Sequence, residues 1–265
     1  MEKIKVMSRW KASFIHLTIS AAIALVVLAL MLLVWYPYPL FAAVGGQQIL
    51  MILLGVDVTL GPLTTLTIFN LKNKSLRALK FDLSVIAALQ ITALIYGMSV
   101  VYQARPVFMV FSKDSFDLVT ANMLDRDDLE KTLNPKFNSL PTTGPVYAYT
   151  EMPTVTEDRN TVVMSALSGK DLGQFPQYYK PFHEHTKQTR LAAKPLADLK
   201  ALNPGKVNEI DSIIWESGLS ETMIGYLPLR AKLEHMTVLV NKGSGLPIGI
   251  KRLNPWPTTK LNDAR

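Results

Sequence analysis

The chain has 265 residues, no cysteine, a formal net charge of +7 and a hydrophobic share of 49%. That share is high for a soluble domain, and the missing thiol excludes cysteine catalysis, thiolate zinc sites and disulfide exchange. Residues 1–11 carry +3, Asp57 −1 and residues 70–82 +3, which leaves +2 for everything from residue 83 onward. No basic cluster in that remainder makes the footprint of a nucleic-acid-binding surface.

Taken in chain order, three apolar stretches at residues 12–36, 47–69 and 83–102 are each long enough to cross a hydrocarbon core of roughly 30 Å as a helix. The first follows Lys3, Lys5, Arg9 and Lys11 as a signal sequence would. It exceeds a signal's apolar region of about 7–15 residues, however, and ends in Trp35, Tyr36, Pro37 and Tyr38, the aromatic belt of an anchor. The connection "PYPLFAAVGGQQ" is uncharged, whereas "LKNKSLRALKFD" between the second and third stretches holds Lys72, Lys74, Arg77 and Lys80 against Asp82. Basic loops stay inside. The expected protein is therefore a multi-pass component of the bacterial inner membrane. Its N-terminus is cytoplasmic, its first loop lies outside, and everything beyond the third span is periplasmic.

The second stretch carries "GVDVTLGPLTTLTIFN". An acid at the centre of a span costs about 2.5–3.5 kcal/mol and calls for a partner on a neighbouring helix. Asp57 has Gln90 and Thr92 at matching depth on the third stretch, Gly55 and Gly61 permit close backbone approach, and Pro62 cannot donate to the Val58 carbonyl, so a kink is expected beside Asp57. Hydroxyls of Thr59 or Thr64 are placed to satisfy the groups this frees. Gly55, Asp57, Gly61, Pro62, Gln90 and Thr92 form the candidate intramembrane polar or partner-binding site. One reading of it is a hydrogen bond internal to the bundle; the other is contact with a polar or cationic group of a client helix. His16 lies close enough to Lys11 to be expected at the cytoplasmic interface.

Arg105 and Pro106 mark the exit from the third span, giving expected domains of residues 1–104, a three-helix transmembrane bundle, and 105–265, a periplasmic α+β domain. "RPVFMVFSKDSFDLV" reads as two strands about a polar turn, "DRDDLEKTL" as a short helix and "GPVYAYTEM" as a strand. "EDRNTVVMSALSG" is a helix stopped by Gly169, Pro195 breaks a later helical stretch, and "VNEIDSIIWESG" spaces its isoleucines as a helix does. Thr237–Val240 and Pro247–Ile250 form a hairpin around "NKGSG". "FHEHTK" brings His183, Glu184 and His185 together, with His235 available to complete a metal set, but the spacing is not that of a zincin helix and surface histidines are the reading adopted. No nucleotide, dinucleotide or hydrolase motif appears, so no cofactor, no metal and no enzyme activity are expected.

The stretches "MSRWKASFIHLTIS", "LLVWYPYPLF", "GGQQILMILLGVDVTLGPLTTLTIFN", "LKFDLSVIAALQITALIYGMSVVYQARPVFMVF" and "MTVLVNKGSGLPIGI" together resemble the TfpX/TfpZ family of type IV pilin accessory proteins. The likeness is nearly continuous over residues 7–111 and looser beyond. It implies an inner-membrane factor that supports assembly of a type IV pilin into surface pili, with the pilin and the pilus machinery as partners. Membrane lipid and no nucleic acid complete the expected contacts. A Gly- and Pro-interrupted helix with a mid-span acid is also the mark of a carrier's binding site, so a small oligomeric transporter is the alternative, with an envelope sensor a further one.

Overall fold

The computed structural model describes residues 8–69, 75–234 and 236–257, which divide into two compact units. The first unit comprises the chain up to Trp35 together with Gly45–Gln103. The second comprises Tyr36–Val44 together with everything from Ala104.

In the first unit, α1 (Arg9–Leu30) starts where the Ser8 hydroxyl accepts from the Lys11 N–H, at 3.2 Å, and runs into a π-helical turn at Met31–Trp35. A four-residue α2 (Leu40–Ala43) follows, and belongs to the second unit. The chain then continues as α3 (Gly46–Leu54), a second π turn over Gly55–Leu60 and α4 (Gly61–Ile68). The wide turn lies just before Pro62, which lacks the N–H an α-helix would use and whose ring would meet the carbonyl of Val58; widening the helix relieves the steric conflict. The expected disturbance beside Asp57 is thus a π turn, and from α4 the Thr64 hydroxyl donates to the carbonyl of Leu60, the last residue of that turn, at 2.6 Å. Last comes α5 (Leu76–Gln103).

Arg9–Trp35, Gly46–Ile68 and Arg77–Gln103 are long and apolar enough to cross a membrane. Few of their side chains are buried. Leu25, Val26, Leu33, Ile52 and Leu89 are among the large apolar groups that stay exposed, as on surfaces that meet a membrane or a partner. The helices meet mainly through α1 against α4.

The second unit is built on a mixed sheet. β1 (Pro106–Ser112) and β2 (Ser115–Thr120) pair antiparallel around Lys113, whose φ of 57° makes the tight reversal. Met109 faces Leu118 and Phe111 faces Phe116 across the pair. Because side chains alternate along a strand, Met109, Phe111, Phe116 and Leu118 enter one core while Phe108, Val110 and Val119 enter another, and all seven residues of β1 are buried. After α6 (Arg126–Glu130), β3 (Val146–Tyr149) joins β1 in parallel. α7 (Thr156–Leu167) then ends at Gly169, which has φ 85°, as the sequence leads one to expect.

Two-residue strands β4 (Lys180–Pro181) and β5 (Lys194–Pro195) bracket α8 (Thr186–Ala192). α9 (Leu196–Leu202) and α10 (Val207–Ser217) follow, the second stopped by Gly218 at φ 66°. β6 (Ile224–Arg230) pairs with β2 in parallel and with β7 (Met236–Asn241) antiparallel, and β8 (Pro247–Lys251) closes the predicted hairpin. The sheet order is β4-β3-β1-β2-β6-β7-β8, with β5 beside β6. α9 and α10 cover Ile224, Tyr226 and Leu239 with Leu196, Leu199, Ile210 and Ile213.

The connection between the first two long helices, expected as a short outer loop within the domain of residues 1–104, belongs to the sheet unit instead. Tyr36 and Ala43 are fully buried and Leu40 nearly so, and Leu40 and Ala43 complete the core that holds Met109, Phe111, Leu227 and Val238. The Leu233 N–H donates to the Ala43 carbonyl at 3.2 Å, and a Cβ on Gly144 would lie 3.0 Å from the Pro37 ring. The sheet unit is therefore assembled from two separate pieces of sequence.

Candidate functional site

In the helical unit, polar side chains from all three spans converge on one network. From α1, Ser13 donates to the Pro62 carbonyl at 2.8 Å, which ties that helix to the start of α4. His16, one turn further on, is bonded through Nδ1 to the Thr65 hydroxyl at 2.6 Å and through Nε2 to Gln90 Oε1 at 2.8 Å. Since an amide oxygen only accepts, Nε2 carries a proton. Gln90 in turn donates from Nε2 to the main-chain carbonyl of Asp57 at 3.3 Å. That carbonyl sits in the π turn. The amide thus satisfies a backbone group in the segment that Pro62 disturbs.

Gly61 is what lets Gln90 come so close. A Cβ there would overlap Gln90 Nε2 and lie 2.8 Å from its Cδ. Gly55 plays no such part, since a Cβ added to it would meet nothing within 4 Å. Thr92 faces outward and returns its hydroxyl to the Ala88 carbonyl of its own helix at 2.8 Å. Of the expected site residues, Asp57, Gly61, Pro62 and Gln90 are brought together, whereas Gly55 and Thr92 lie outside the network.

His16, Thr65 and Ser13 are members that the sequence reading did not include. His16 turns into the bundle rather than toward an interface. The signal was present in the spacing: Ser13, His16 and Ser20 fall at i, i+3 and i+7, a polar stripe on one face of an otherwise apolar helix.

Asp57 itself is only 8% exposed, and its Oδ1 has no hydrogen-bond partner among the described residues. The carboxylate lines a groove of about 210 Å³ between α1 and α5. His16, Ser20 and Gln90 also line it, together with the apolar Ile19, Ile23, Ile91 and Leu94.

In the sheet unit the histidines have structural surroundings. His185 stacks on Tyr149 with ring centres 4.2 Å apart, and its Nδ1 lies 3.1 Å from the Pro181 carbonyl. His183 is exposed beside Glu184, and His235 lies outside the described residues. No group of three potential metal ligands occurs among the described residues. Burial, with help from the neighbouring Glu151, pushes the Tyr149 hydroxyl up to about 12. Burial also raises the Asp117 carboxyl even though Arg230 clamps it in two hydrogen bonds at 2.6 and 2.9 Å.

Three helices long and apolar enough to cross a membrane, tied together by a shared polar network and joined to a mixed-sheet unit, define the class of protein, and its distinctive polar groups lie among those helices. Comparison with known proteins makes the class more particular. The family description "Fimbrial assembly protein FimB" matches residues 4–45. The fimbrial assembly protein of serogroup E1 from Dichelobacter nodosus is 31% identical over 242 residues, covering 90% of this chain and 93% of the relative. That of serogroup I is 30% identical over the same length, and that of serogroups C1 and C2 is 35% identical over 129 residues, or 49% of this chain and 98% of the relative. No solved structure matches. This chain belongs to the fimbrial assembly protein family.

Proposed function

We propose that the chain is a membrane-embedded, non-catalytic accessory factor in the assembly of a type IV pilus, as its resemblance to the TfpX/TfpZ proteins implies. The observation that carries this reading is the near end-to-end similarity to proteins named for fimbrial assembly. Its spans lie in the inner membrane and its sheet unit in the periplasm, where a pilin subunit and the pilus machinery are within reach.

The packing of residues 36–44 into the sheet unit supports one part of this arrangement. A first loop and a C-terminal unit that share a core lie on one side of the bilayer, and that requires an odd number of crossings before residue 104. Three spans meet the requirement. The basic residues Arg9, Lys11, Arg77 and Lys80 at the opposite ends of those spans favour the cytoplasm for that other side.

The test is removal of the gene from its host, with surface fimbriae counted by electron microscopy and total pilin measured by immunoblot. Loss of fimbriae while pilin is still made, restored by the intact chain, is the expected result. Normal fimbriation in the deletion strain would refute the assignment.

A further inference from the structure

The groove beside Asp57 is left incomplete by the network that surrounds it. Gln90 directs its N–H to the Asp57 main-chain carbonyl rather than to the carboxylate, and both ring nitrogens of His16 are engaged by Thr65 and Gln90. Oδ1 is consequently a buried acceptor with no donor among the described residues, in a segment at the middle of the 23-residue span Gly46–Ile68. A polar atom withdrawn from water without a partner is costly, and more so in hydrocarbon. A donor supplied from outside the chain removes that cost.

We propose that the groove receives a transmembrane helix of another protein, and that this helix presents an ammonium or comparable charged N–H donor at the level of Asp57. Charge complementarity sets the chemistry, because the unfilled position is an acidic acceptor. The form of the occupant follows from the apolar lining. Ile19, Ile23 and Ile91 are 55%, 43% and 57% exposed along the opening, an apolar surface matched to a helix rather than to a hydrated solute. Depth argues against a lipid headgroup, since mid-span lies about 15 Å from either face of the hydrocarbon core. A second copy of this chain lacks the required group, because its spans carry Lys and Arg only near their ends, at Arg9, Lys11, Arg77 and Lys80.

The test uses the full-length chain in nanodiscs of phosphatidylethanolamine and phosphatidylglycerol. It is offered two synthetic leucine-rich helices of roughly 20 residues, identical except for a central lysine or leucine, and association is read by energy transfer between fluorophores. The lysine helix is expected to bind the unaltered chain about tenfold more tightly, in line with interhelical polar contacts in bilayers. Asp57→Asn reduces that preference to about twofold or less, while Thr92→Ala, on the outward face, preserves it.

Equal binding of the two helices by the unaltered chain overturns the proposal without recourse to any variant. So does a preference that survives Asp57→Asn. Self-association that depends on Asp57 in the absence of peptide would assign the groove to a second copy and overturn it equally. The inference depends on the helices lying in a bilayer but not on the fimbrial role: a failed helix preference leaves the fimbrial count untouched, and the converse also holds.

Discussion

Leu40 offers the sharpest probe of how the sheet unit is built. It is 1% exposed and packs with Met109, Phe111, Phe116 and Leu229, although the sequence places it between two spans. Truncating a buried leucine to alanine costs about 2–5 kcal/mol through lost transfer energy and the cavity left behind. Even the lower figure raises hydrogen exchange of core amides by roughly 30-fold where exchange proceeds through unfolding of the unit. Exchange followed by mass spectrometry on the full-length protein in detergent is the assay, read on β1 and β7. Leu40→Ala and Leu229→Ala, both in the same core, are expected to accelerate the same peptides. Leu33→Ala, 82% exposed on the first span, is expected to leave them unchanged. Fast exchange in Leu229→Ala beside unaltered exchange in Leu40→Ala would refute the reasoning that the inter-span connection is part of that core.

The remaining predictions concern the helix contact and the response to acid. Gly61→Ala displaces Gln90 and breaks its bonds to His16 and to the Asp57 carbonyl, while Gly55→Ala meets open space. The first is expected to lower bundle stability in detergent by about 1 kcal/mol and the second by a few tenths at most; equal effects would show that the close approach is unimportant. Burial pulls the Asp128 carboxyl upward, but the hydrogen bonds and charges of Lys170 and Lys131 outweigh it and hold the group below the ordinary range. An acid so depressed stabilises the fold above about pH 4, and the contribution is lost as pH falls through the lowered value. Lys170→Met is therefore expected to flatten the loss of thermal stability on acidification below about pH 4, and an unchanged acid limb would contradict that role.

Much of this architecture was legible because it rests on local patterns. Span length and apolarity identify the three helices, the runs "PVFMVFS" and "SFDLVT" identify the central hairpin, and Gly169 marks a helix end that has positive φ. Asp57, Gly61, Pro62 and Gln90 were found because an acid and a Gly-Pro pair conflict with an apolar span. What escaped depends on distant contacts. "PYPLFAAV" is short, uncharged and flanked by spans, and nothing local indicates that Leu40 is needed by strands more than sixty residues away. His16 was assigned by its distance from Lys11, a one-dimensional criterion, whereas its orientation is decided by Thr65 and Gln90 on other helices.

The claim on which the proposed role depends is that the first loop and the sheet unit share the outer side of the membrane. The absence of cysteine makes this directly measurable. Single substitutions Tyr38→Cys, Leu133→Cys and Arg77→Cys, all at exposed positions, are to be treated in intact cells with a membrane-impermeant maleimide. Positions 38 and 133 are expected to be labelled without lysis and position 77 only after it. Labelling of 38 and 133 from opposite sides, or of 77 alone in intact cells, would contradict the account.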